Sequence, residues 1–167
     1  MTDRQRSALH EAGHVIVGRA LGCAPTSATV ETVGTSARGR AWFAVGRERR
    51  TLKEITDELA VDLAGATAVA LAEGTDWSAL RWLTSAHALE EFEGQYNSRR
   101  EILEDVADII RPTVDHDATA ALEATYWYDR ALPRAAARAA RILERDWSDV
   151  LRLADRLDAN GRVEFAA

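Results

Sequence analysis

The sequence predicts a mainly α fold in a single domain spanning 1–167, with one small β-hairpin or sheet after the first helix. Three features predict it. Alanine is abundant and proline occurs only at Pro25, Pro112 and Pro133, a composition that favours long helices. Capping residues and glycines divide the chain at helical intervals. β-Branched residues gather in one early stretch, 27–34, as a pleated backbone prefers.

In chain order, Thr2 and Gln5 form a capping box for a helix from Asp3 to Leu21, stopped by Gly22. The second half of that helix (Val15, Ile16, Val17, Ala20, Leu21) is apolar on most faces, which predicts a buried helix. Ser27 to Gly34 reads as a strand, residues 35–40 as a turn containing Gly39, and Ala41 to Val45, with Trp42 and Phe43, as a second strand. Thr51 and Glu54 form another capping box, opening an alanine-rich helix that reaches Glu73 and ends at Gly74. Thr75 and Asp76 start a helix running to Phe92, and Gly94 to Ser98 breaks the chain. Glu101 to Ile110, closed by Pro112, and Ala118 to Arg130 are further helices. Pro133 suits the first turn of a last helix, expected to run to about Asp158 before Asn160-Gly161 stops it.

The bulk numbers exclude several functions. A net charge of −6 argues against a general nucleic-acid binder, because phosphate binding needs a basic surface. Cys23 is the only cysteine, so neither an internal disulfide nor a thiolate zinc cluster can form. The opening residues carry no apolar stretch behind a basic one, and no run approaches a membrane span. A soluble, cytoplasmic protein is expected.

The pentapeptide His10-Glu11-Ala12-Gly13-His14 carries chemistry. Residues four apart on a helix sit one above the other, so two imidazoles can grip one metal ion. Glu11, three residues before His14, stands beside the same site without having to ligate. A metal lowers the pKa of its bound water towards ~7, and a neighbouring carboxylate can accept the proton. The pattern therefore works only on a helix. The competing reading is an accidental match on a surface helix. Against it stand the strength of the helix, the apolar flanks (Leu9, Val15 to Val17), and Gly13, which costs a helix roughly 1 kcal/mol relative to alanine and so implies close packing.

His-Glu-Ala-Gly-His followed by Val-Ile-Val-Gly-Arg resembles the peptidase domain of the FtsH family of ATP-dependent zinc metalloproteases. Residues 27–45 look like that family's strand, glycine turn and second strand. Leu63-Ala64-Gly65-Ala66-Thr67-Ala68 looks like its following glycine-containing helix, and Arg138 to Val163 is similar to its C-terminal helix. The resemblance implies a helical zinc-peptidase domain with Zn2+ as cofactor. His10 and His14 would be ligands, Glu11 the catalytic base, and an aspartate at the next helix start the third ligand. Asp76 is the residue here that matches, and Trp77, Leu80 and Leu83 give it the expected apolar helix face; the rival reading is a helix cap. Glu73 and His87 are the alternative ligands. The family's loop before that aspartate is longer than Gly74-Thr75.

No Gly-x-x-x-x-Gly-Lys-Ser/Thr phosphate loop occurs in these residues. The expectation is a stand-alone peptidase acting on peptides or unfolded protein, with a separate partner able to deliver substrate and a homo-oligomer allowed by the resemblance. The alternative is a non-catalytic, metal-stabilised helical interaction module. His87 reads first as a structural histidine, His116 as a turn residue between Asp115 and Asp117, and Arg47, Arg49 and Arg50 as a solvated loop. The tryptophans read as core anchors. For Trp42, packing under the hairpin is favoured over a place on an edge strand that aligns an extended peptide.

Overall fold

A computed structural model of the chain describes residues 1–44, 52–74 and 132–166. The helices expected at 75–92, 101–110 and 118–130 lie outside the described residues.

Helix α1 (Asp3–Ala20) begins at the expected capping box, with Thr2 accepting from the Gln5 amide and the Gln5 side chain accepting from the Thr2 amide. The run from Glu11 to Gly18 is buried, because the other described elements pack around it, while Arg19 and Ala20 at its end are exposed. Strands β1 (Pro25–Val33) and β2 (Ser36–Phe43) form an antiparallel hairpin. Helix α2 (Leu52–Ala72) packs along α1. Helices α3 (Leu132–Arg145) and α4 (Trp147–Asn160) follow, and a short strand β3 (Arg162–Glu164) closes the described chain. The fold is thus mainly helical, with a three-stranded antiparallel sheet in the order β2-β1-β3.

The hairpin turn differs from expectation. It is the two-residue link Gly34-Thr35, since Val33 pairs with Ser36, and Gly34 supplies the positive φ of 62° that a primed hairpin turn needs at its first position. Gly39, expected in the turn, lies within β2 opposite Val30. Alternation assigns the faces: Ala28 and Val30 of β1 are buried towards α1 and pair with Ala41 and Gly39, while Arg38, Arg40 and Trp42 fall on the outer face. Phe43 lays its ring over Gly18 of α1, where a side chain would collide with it.

The single last helix expected from Pro133 to Asp158 is two helices, parted at Asp146. The Asp146 carboxylate is taken by Arg145 at 2.6 Å and makes no capping bond to α4. The break has a packing reason. α3 buries Ala135, Ala136, Ala139 and Leu143 and packs mainly against α2, whereas α4 buries Val150, Leu153, Ala154 and Leu157 and packs mainly against α1. One straight rod could not follow both partners. Gly161 then ends α4 in the left-handed region (φ 73°), its amide donating to the Leu157 carbonyl. The chain turns back and Val163 pairs with Ala28.

Ion pairs between described residues help hold the helices in register. Arg4 donates to the Asp158 carbonyl at 2.7 and 2.9 Å and pairs with its carboxylate, joining the start of α1 to the end of α4. Arg138 of α3 pairs with the buried Asp57 of α2, which Lys53 also meets at 2.6 Å. Arg6 of α1 pairs with Glu73 just past α2.

Candidate metal centre

His10, Glu11 and His14 project from α1 in neighbouring sectors, set by a helical step of about 100° per residue. His10 and His14 point towards α2. Their rings lie 4.7 Å apart, centroid to centroid, in an edge-to-face arrangement. His14 is buried and His10 partly so. The His14 Nδ1–H donates to the Val61 carbonyl at 2.7 Å. That bond selects the tautomer whose Nε2 carries a lone pair, and it is the support that metal-binding imidazoles ordinarily have.

Where the Nε2 atoms point is shown by Gly65 of α2. A Cβ built on Gly65 would lie no more than 2.5 Å from both the His10 and the His14 Nε2. Both Nε2 atoms thus crowd one small volume that exists only because residue 65 has no side chain. Gly13 has the complementary job on α1: a Cβ there would come within 2.6 Å of the Ala64 carbonyl oxygen and 2.9 Å of the Ala68 methyl. The two helices therefore touch through small residues, bringing the imidazoles onto α2.

Glu11 occupies the next sector, under β2. A Cβ at Gly39 would strike its side chain, reaching 2.6 Å from Oε1, and the Ala41 amide donates to its carboxyl group. Burial pushes the Glu11 carboxyl up to about 8, against the smaller opposing effects of the Ala41 amide and the Arg40 charge. Burial, with the charge of His14, holds His10 down to about 3. Burial likewise lowers His14, opposed by its bond to Val61. The result is two neutral imidazoles with free lone pairs, as metal ligands must be, and a carboxyl group desolvated beside them.

Among the described residues no three His, Cys, Asp or Glu side chains gather to hold an ion. Glu11 therefore stands beside the imidazole pair without joining it as a donor. Asp76 and His87, two of the other ligands the sequence suggested, lie outside the described residues. Glu73 is brought to Arg6 instead, eight residues and about 12 Å along the chain from Gly65 at the helical rise. Trp42 does not pack under the hairpin: it is 39% exposed, with the Arg40 guanidinium 5.8 Å from its ring centre. His116 and the Arg47 to Arg50 cluster also lie outside the described residues.

Sequence reasoning placed Gly65 in the second helix and Gly39 in a turn, and assigned neither to the site. The available signal was their cost: glycine weakens a helix or strand interior unless something approaches closely. Among the described residues no helix is long and apolar enough to cross a membrane. No family model matches the chain, and no curated protein matches it.

Proposed function

We propose that this chain is a zinc-dependent metallopeptidase of the FtsH-like kind. His10 and His14 hold the ion, Asp76 completes the donor set, and Glu11 is the general base. The observation that carries this reading is the convergence of the two Nε2 atoms on the space left by Gly65, with His14 locked in the ligating tautomer by Val61.

When bound, zinc would supply Lewis acidity and an acidified water. The residues of the chain do the rest. The main chain of β2, at the edge of the sheet among the described residues, aligns an extended peptide beside Glu11. The Glu11 carboxylate accepts a proton from the attacking water and returns it to the leaving amine nitrogen. A bound cation nearby favours the ionised carboxylate that this role requires. The Ala41 amide and Gly39 keep that carboxyl in place. Substrates are peptides or unfolded segments, arriving alone or from a separate partner.

The test joins metal analysis to a substitution. Purified protein should carry about one zinc per chain. Glu11→Gln should keep that zinc and lose peptidase activity by roughly 10²–10⁴-fold, the usual share of general base catalysis. Zinc retained without any peptidase activity in the native protein would support the non-catalytic module instead. Absence of zinc from protein purified without chelator would end both readings.

A further inference from the structure

The outer face of β2 carries a cationic strip that forms no ion pair among the described residues. Arg38 and Arg40 are exposed on it and followed by the exposed Trp42. Among the described residues neither arginine forms an ion pair, although the chain as a whole is acidic at −6. Other cations of this region are engaged: Arg162 pairs with Glu164 of β3, and Arg19 lies 4.4 Å from the centre of the Phe165 ring. Glu31 is opposite Arg38 in the β1–β2 register but forms no ion pair with it. Arg40 stacks on Trp42, which holds the guanidinium on the strand surface and lowers the entropy lost when it meets an anion.

The placement of the strip gives it meaning. Gly39, between the two arginines, is the residue whose backbone Glu11 abuts. A strand added along the edge of β2 that is unpaired among the described residues sets one residue opposite Gly39, level with Glu11. The two residues flanking it have side chains on the same face as Arg38 and Arg40, since alternate residues share a face. Directly opposed side chains on adjacent strands lie about 4.5–5.5 Å apart, close enough for charge to count.

We propose that this edge selects acidic extended peptides, with Asp or Glu at the two alternate positions that face Arg38 and Arg40. The inference rests on the peptidase reading for its catalytic half, and on the strand edge alone for its binding half.

The test uses the zinc-loaded full chain and ten-residue peptides of one scaffold, with Glu, Gln or Lys at two alternate positions flanking the cleaved bond. Cleavage efficiency should rank Glu above Gln above Lys. The Glu advantage over Gln should be about 2- to 30-fold for two opposed pairs and should shrink as salt rises. Labelled versions of the same peptides should bind Glu11→Gln protein in that order. Arg38→Glu with Arg40→Glu should invert both rankings. Ratios between peptides on one protein cancel any effect of the lost Arg40 charge on Glu11. If that pair fails to fold, Arg38→Gln with Arg40→Gln decides, by flattening the ranking. Equal treatment of the three peptides by the native protein, or an unchanged ranking in the charge-altered proteins, overturns the proposal. Charge-ranked binding without cleavage sinks only the peptidase reading; cleavage without charge ranking sinks only the acidic preference.

Discussion

Gly65 shows how a missing side chain can define a site. In an alanine-rich helix, alanine at this position would raise helix propensity by about 1 kcal/mol, yet its Cβ would stand no more than 2.5 Å from two imidazole nitrogens. The backbone of α2 cannot yield easily, because it touches α1 through Gly13 and Ala64. Gly65→Ala should therefore turn the imidazoles away from their shared volume. Zinc measured after dialysis should fall from about one per chain to near zero, with helix content by circular dichroism retained. A variant that still binds zinc as the native protein does would show that the metal sits elsewhere. The paired histidines and Glu11 were legible in the sequence because one helix fixes their mutual geometry. Gly65 was not, because its role depends on which turn of α2 faces which turn of α1. That relation is set by packing between segments some fifty residues apart, and no local spacing encodes it.

Elements were legible where a strong local signal acts alone. The Thr2–Gln5 box starts α1 and Gly74, in the left-handed region, follows the end of α2. They were misread where tertiary demands override the local signal. Gly39 belongs to a run that reads as a turn, but it is held in β2 because Glu11 needs the room. Strand β3 has three residues, too few for alternation to register. The split at Asp146 arises from α3 and α4 choosing different partners. The α3 choice has a testable anchor in the Arg138–Asp57 pair. Asp57 is 5% exposed, so Arg138→Ala leaves a buried carboxylate with Lys53 as its remaining ion-pair partner among the described residues. Removing one partner of a fully buried pair costs about 3–5 kcal/mol. Here the Arg138 side chain is 35% exposed and Lys53 remains, so about 1–3 kcal/mol is expected after screening. Urea unfolding followed by circular dichroism should show a lower midpoint with an unchanged slope. An unshifted midpoint would mean that apolar contacts alone seat α3 on α2.

For the whole molecule, three desolvated ionisable groups without an ion in place make folding depend on pH in opposite directions. His10 has its pKa lowered from 6.5 to about 3, and His14 is also lowered. Below 6.5 the unfolded chain takes up protons that the folded one refuses, so stability falls as pH drops through that window. Glu11 is raised from 4.5 to about 8. Between those values the folded chain holds the extra proton, so this group makes stability fall as pH rises. Just below pH 6.5 the two histidines outweigh the one carboxyl; above 6.5 the carboxyl acts alone. Chelator-treated protein should therefore be most stable near pH 6.5, with its melting temperature declining on either side. Zinc reverses the upper limb. Both imidazoles are already neutral in the folded chain at these pH values, but the ion's charge favours ionised Glu11, so binding releases the Glu11 proton and stabilises the folded state more as pH rises from 6 to 8. The gap in melting temperature between zinc-loaded and chelated protein should widen across that range. A gap that stays constant would mean that the metal is bound away from Glu11, and a chelated protein with no maximum near pH 6.5 would mean that the three groups are not desolvated as described.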